Sequence, residues 1–179
     1  GAFLFTTQPV LDELRLLRDW LEAQPEPPLE ALAFKGTSGS FHRFEGTYPA
    51  PNLQHGVVPY STEGGQFVFD SSGKPVPGEV EAMRVSFCVP KGAPPAKGFP
   101  VVFYSHGTGG NFRSGVGDVC EDLAQVGLVT VGIDQVFHGP RAKGATGCFG
   151  QQIEVCFFNP VNVVAGRNNT RQAALDNVL

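Results

Sequence analysis

Apolar residues between positions 10 and 23 recur at helical spacing. Val10, Leu14, Leu17 and Leu21 lie 4, 3 and 4 residues apart, with Leu11 and Trp20 beside them. Asp12, Glu13, Arg15, Arg18, Asp19 and Glu22 take the other faces, so the pattern predicts an amphipathic helix. Gln24-Pro-Glu-Pro-Pro28 stops it, because proline lacks the N–H that a helix interior needs. From Leu29 to about Tyr60 the pattern shortens to strands and turns: Leu32–Phe34, a turn at Gly36–Gly39, then Phe41–Phe44. Two further strands are expected at Gly64–Asp70 and Val80–Val89, joined by a turn at Ser71–Gly73 and a proline-bearing segment. In the second, Met83, Val85, Phe87 and Val89 alternate with Arg84, Ser86 and Cys88, the period of a half-buried strand.

The pattern changes at Pro100. Val101–Tyr104 is a continuous apolar run, as expected of a strand buried on both faces. A turn follows at His106–Gly110, then a helix over Gly117–Val126 with Gly127 as its C-cap. Leu128–Ile133 reads as a second buried strand ending at Asp134. Strand, helix and strand over so short a span predict a βαβ unit with parallel pairing. After an irregular stretch from 135 to about 165, Arg167–Leu179 reads as one more helix. The expected class is α/β, with an antiparallel start and then a parallel βαβ unit. The expected divisions are a helix and linker over 1–28, a β-rich region over 29–79 and the α/β part over 80–179.

Composition narrows the function classes. Lys and Arg total 13 against 17 Asp and Glu, a net charge of −4, which argues against the basic face of a nucleic-acid binder. No apolar run approaches the roughly 18–20 residues that span a bilayer. Glycine (23) and proline (15) are dispersed between apolar segments, so many loops are expected without wholesale disorder. The four cysteines form no C-x-x-C pair; Cys148 and Cys156 bracket a short loop and are the candidates for a disulfide, which would need an oxidising, secreted or periplasmic setting. Four buried free thiols in a reducing compartment are the alternative. The only methionine is Met83 and the chain opens Gly-Ala-Phe, so it reads as a processed product or a fragment.

Ligands of parallel sheets bind beyond the carboxyl ends of the strands. Two glycine-bearing turns are predicted there: Ser105-His-Gly-Thr-Gly-Gly110 and Asp134-Gln-Val-Phe-His-Gly139. Glycines let the first turn bend sharply and present backbone N–H groups to an anion or a developing oxyanion. A dinucleotide fingerprint fails on spacing, since Gly107 and Gly109 are followed by Phe112 where a third glycine belongs. A G-x-x-x-x-G-K-[ST] loop is also absent. No cofactor is called for, and His106, Asp134 and His138 lack the regular spacing of metal ligands. The plain reading of His106 and His138 is that each orders its own loop. His42 and His55 read as surface or loop residues. Asn168-Asn-Thr170 is a short glycosylation sequon of little weight.

Taken together, Val101–Gly110, a helix and Leu128–Gly139 resemble the α/β-hydrolase family, in particular its secreted bacterial esterase or lipase-like and platelet-activating-factor-acetylhydrolase-like branches. The resemblance covers about residues 83–179. It implies that the Thr108 N–H is one oxyanion donor, with His106, Gly107, Gly109 and Gly110 shaping its turn. It places Asp134, His138 and Gly139 at the rim of the substrate site. It also implies a small-molecule or lipid ester as substrate. The family's G-x-S-x-G elbow is absent, and chain order puts it, with the acid and the histidine, after the last helix. The expectation is therefore the N-terminal portion of a serine hydrolase, partnered by the remaining half on the same or a companion chain. A non-catalytic binding or accessory module on the same scaffold is the rival.

Overall fold

The computed structural model describes residues 11–178. In chain order it contains helix α1 (Asp12–Glu22), strands β1 (Glu30–Ser38), β2 (Phe41–Asn52), β3 (Gln54–His55), β4 (Gln66–Phe69), β5 (Pro75–Val76), β6 (Glu79–Pro90) and β7 (Val101–Tyr104). Helices α2 (Ser114–Asp118) and α3 (Cys120–Gln125), strand β8 (Val129–Ile133), two 3-10 turns (Gly139–Ala142 and Ile153–Phe158) and helix α4 (Val163–Leu175) follow.

The frame is the antiparallel pairing of β2 with β6, twelve residues in unbroken register from Phe41↔Pro90 to Asn52↔Glu79. Around it grows a five-stranded mixed sheet in the order β1-β2-β6-β8-β7, in which only β7 and β8 run parallel. The protein is thus α/β but strand-rich. A separate three-stranded sheet, β3-β4-β5, lies beside it.

Several expectations are corrected. The turn placed at Gly36–Gly39 falls at Gly39–Ser40; β1 passes through Gly36 by a register shift, using its positive φ of 121°. The shift is a bulge, which twists an exposed edge strand away from further pairing. The strand expected at Gly64–Asp70 is shorter, Gln66–Phe69, and turns back through the Asp70 turn onto β5, which falls within the proline-bearing segment. The helix expected at Gly117–Val126 is two short helices broken at Val119; Gly115 and Gly117 weaken the first turn, and Cys120 is tethered to Cys88. Gly127 does cap the second, with φ 78° and the N–H groups of Gly127 and Leu128 closing on Ala124 and Leu123. The last helix begins at Val163 rather than Arg167, because the Asn162 side chain accepts from the Ala165 N–H and caps it there.

Strand β7 is not buried on both faces. It forms the edge of the sheet, and Val101 and Phe103 are 52% and 48% exposed. The two faces of the sheet are covered unequally. One carries Phe41 and Cys88 against α2 and α3, through Val116, Cys120 and Ala124. On the other, Tyr48, Met83, Val85, Val131 and Ile133 form a core. Toward β7 that face opens into a cleft of about 540 Å³, floored by Phe87, Val101 and Phe103 and walled by Pro25 and Pro27. Helix α1 packs Leu17 and Leu21 with Leu53, Phe67 and Leu175, which joins it to α4.

All four cysteines are paired, Cys148 with Cys156 and Cys88 with Cys120. The second pair ties β6 to α3 and was not foreseen. Two disulfides fit an extracellular protein. Among the described residues no helix is long and apolar enough to cross a membrane.

Candidate functional site

The parallel register of β7 and β8, Tyr104 opposite Gly132, brings the two strand ends side by side. The two glycine-bearing turns therefore face each other. In the first, the Gly110 N–H donates to the Gly107 carbonyl at 3.0 Å, with Gly109 at φ 82° in the third position, the geometry of a type II turn. Gly110 is demanded by crowding: a Cβ there would lie 2.8 Å from the His106 ring. The second turn repeats the design. The His138 N–H donates to the Gln135 carbonyl at 3.0 Å, and its third position is Phe137, at φ 65°. A buried phenylalanine rarely adopts that conformation, so the surroundings must hold it. Here Phe137 packs on Tyr60, ring centroids 5.8 Å apart.

The two histidines connect the turns. His106 Nε2 accepts from the Gln135 N–H at 3.1 Å, and its Nδ1 faces the Gly107 carbonyl at 2.8 Å. His138 Nε2 accepts from the Gly109 N–H at 3.2 Å, and its Nδ1 faces the Val136 carbonyl at 3.0 Å. An acceptor Nε2 on a neutral ring requires the hydrogen on Nδ1, so these contacts set both tautomers. The rings meet edge to face at 4.6 Å. Burial holds the His138 pKa below the ordinary value, and nearby His106 adds to this. The Val136 carbonyl, Glu154 and Asp134 pull the other way with smaller effect.

A pocket of about 370 Å³ opens beside this pair. Ser105, His106, Gly107, Thr108, Gln135 and His138 form one wall; Phe157, Phe158, Thr170, Ala173, Ala174 and Asn177 form the other. Thr108 is exposed at the tip of the first turn, and among the described residues its N–H has no acceptor. The neighbouring Gly109 N–H is spent on His138. The turn thus leaves one backbone donor without a protein partner at a residue that lines the pocket.

Asp134 is placed elsewhere. Its carboxylate is 1% exposed and takes the Arg84 guanidinium with both oxygens, at 2.6 and 3.0 Å, while Oδ1 also accepts from the Phe112 N–H at 3.2 Å. It braces the segment after the turn rather than lining the pocket. Gly139 also lies outside it, where a Cβ would collide with Arg84 Nη2 at 2.2 Å. Phe112 is stacked between Arg84 and Arg113, 4.4 and 4.7 Å from its ring centroid, and Arg113 pairs with Glu45 at 2.7 and 2.8 Å. His42 on β2 and His55 on β3 bond locally, to Thr37 and the Val76 carbonyl, and neither lines the pocket.

The far wall depends on the expected Cys148–Cys156 disulfide, on Asn169, which the sequence marks only as part of a sequon, and on Arg141, which it does not mark at all. Asn169 Nδ2 donates to the carbonyls of Cys156 and Phe157 at 3.0 and 3.1 Å, holding the segment that carries Phe157 and Phe158 against α4. The disulfide Cys148–Cys156 closes the preceding loop. Arg141, in the 3-10 turn after His138, is buried and binds Glu81 at 2.8 Å, Asp176 at 2.7 Å and the Asp134 carbonyl at 2.9 Å. It locks the second turn to β6 and to the end of α4. Among the described residues no group of three or more His, Cys, Asp or Glu is placed to hold a metal.

No protein-family model, curated protein or solved structure matches this chain.

Proposed function

We propose that this chain is the N-terminal part of a serine ester hydrolase built on an α/β-hydrolase sheet, and that it contributes half of the oxyanion hole. The observation that carries the reading is the unpartnered Thr108 N–H, on a rigid turn at the carboxyl end of a parallel strand pair and beside a pocket. A fixed donor of this kind stabilises negative charge without reorganising as the charge develops. Attack by a serine outside this chain on an ester carbonyl would break the carbonyl π bond. The resulting oxyanion would accept from Thr108 and from the N–H following that serine. Collapse of the intermediate would expel the alcohol. His106 and His138 are committed to backbone groups, so the general base also belongs outside the chain.

Three further features support the reading. The edge of β7, unpaired among the described residues, and the apolar cleft beneath it suit continuation of the same sheet by further strands and a covering helix. Phe157, Phe158, Ala173 and Ala174 give the pocket an apolar wall, which suits the acyl or alcohol part of a small or lipid ester. The two disulfides suit a secreted or periplasmic site of action.

The test is Thr108→Pro in the active preparation. Position 108 is the second residue of a type II turn, where proline is favoured, so the substitution deletes the N–H while keeping the turn. Ester hydrolysis is expected to fall about 10²- to 10³-fold. Undiminished turnover would remove Thr108 from the mechanism. A fluorophosphonate probe separates the classes: labelling of a companion segment supports the hydrolase, and no labelling anywhere supports a non-catalytic binding module.

A further inference from the structure

The hydrogen bonds between the two turns are reciprocal. His106, from the first turn, accepts the Gln135 N–H of the second; His138, from the second, accepts the Gly109 N–H of the first. Each ring is also anchored at Nδ1 to a carbonyl of its own turn, so neither can rotate to offer another atom without losing a bond. A proton added to either Nε2 would place N–H against N–H and cancel the contact between the turns. We propose that His106 and His138 form a proton-sensitive clasp that fixes the Thr108 turn at neutral pH and releases it in acid, with His138 as the positioning residue for that turn.

The charged surroundings do not reverse this. From the end of β8, Asp134 is already neutralised by Arg84 of β6. From the 139–142 turn, Arg141 is matched by Glu81 and Asp176. From the 153–158 turn, Glu154 attracts a proton, but burial outweighs it at His138. Helix α4 presents Thr170, Ala173 and Ala174 to the pocket, and the turn after it Asn177, none of them charged. The clasp itself rests on hydrogen bonds alone; its meaning for catalysis rests on the hydrolase reading.

The experiment uses nitrogen NMR of the imidazoles and amide hydrogen exchange of Gly109 and Gln135, corrected for intrinsic rates, from pH 7.5 to 5. Both rings are expected to carry their hydrogen on Nδ1 at pH 7.5. Protection of Gly109 is expected to fall about tenfold across the titration of His138, the loss of roughly one hydrogen bond. In His138→Gln the side-chain oxygen still accepts and does not titrate, so this step should vanish. An Nε2–H tautomer on either ring would overturn the clasp. So would Gly109 protection that stays level while His138 protonates, or a step that persists in the Gln variant. If that variant fails to fold, the wild-type titration decides alone. A clasp seen in a protein that no fluorophosphonate labels would retire the hydrolase reading and leave the clasp standing.

Discussion

The sheet and the seat of α4 are both buried, but they are held by different chemistry. Between β2, β6 and β8 the contacts are apolar side chains on regular strands: Tyr48, Ala50, Met83, Val85, Val131 and Ile133. Around α4 there is also an apolar cluster, in which Ala165 and Ala173 meet Tyr60 and Phe137. There, however, the geometry is set by buried side-chain amides. Asn159 and Asn162 both donate to the Tyr60 carbonyl, and Asn162 also to Gly64. Asn168 takes the Gly65 carbonyl, and Gln172 accepts from the Leu53 N–H. Strands satisfy their own backbone through the ladder, whereas the irregular segments packed on α4 have no ladder and would bury unpaired carbonyls. The amides supply what the missing secondary structure does not. The lesson concerns tolerance: an apolar core accepts volume-conserving swaps, while a buried polar network fails when one member is lost.

Four measurements would break or sharpen that contrast. The largest effect is expected from Arg141→Met, which leaves buried Asp176 with no cation and only the Gln172 amide, and Glu81 with Lys143 and Asn52; unfolding in urea should show a loss of about 3–5 kcal/mol. The disulfides come next. Chain entropy favours the longer loop, so removing Cys88–Cys120, 32 residues apart, should cost about 4 kcal/mol. Removing Cys148–Cys156, 8 apart, should cost about 2.5 kcal/mol. An equal loss from both would show that the short loop owes its stability to the contacts on α4 rather than to chain closure.

The third compares like with like. Met83→Leu in the sheet should cost under about 1.5 kcal/mol. Asn169→Leu, with the same branched side-chain skeleton, leaves the Phe157 carbonyl and one Gln54 amide hydrogen without partners, takes one of two donors from the Cys156 carbonyl and should cost about 3 kcal/mol. Equal costs would erase the distinction between the two regions. The smallest effect is with pH. The folded pKa of His138 lies below the ordinary 6.5, so its contribution is fully present above 6.5 and is lost as the pH falls toward the folded value. Glu45 provides an internal contrast. Its hydrogen bonds from Arg113 hold it below the ordinary 4.5, and its contribution is lost only as the pH falls below that value. Urea midpoints at pH 7.5, 5.5 and 4 should therefore step down twice. A single late step would count against burial of a neutral His138.

What could be read from the chain follows the same division. The spacing of Leu14, Leu17 and Leu21 in α1 (Val10, also read into that helix, lies outside the described residues), the parallel run of Val101–Tyr104 beside Leu128–Ile133 and the bent turn at His106–Gly110 are legible because one local rule governs each. The proximity of Cys148 and Cys156 is likewise local. The remainder depends on distant partners. Asp134 resembles a rim residue until Arg84, fifty positions earlier, is seen to hold it. Cys88–Cys120 joins a strand to a helix across a connector of no recognisable pattern. Asn159, Asn168, Asn169 and Gln172 read as surface positions, since their polarity carries no sign of burial. Asn162 carries one local signal, an N-cap side chain directly before Val163-Val-Ala165, which marks the true start of the helix.

The amides of α4 grip main-chain carbonyls, and every residue has one. The side chains on the gripped segments are therefore left free to differ. Phe157 and Phe158 could be exchanged for other residues while Asn169 kept the same hold on the backbone beneath them. A lineage built on this frame could remodel the wall of its pocket, and so what the pocket admits, without renegotiating its fold.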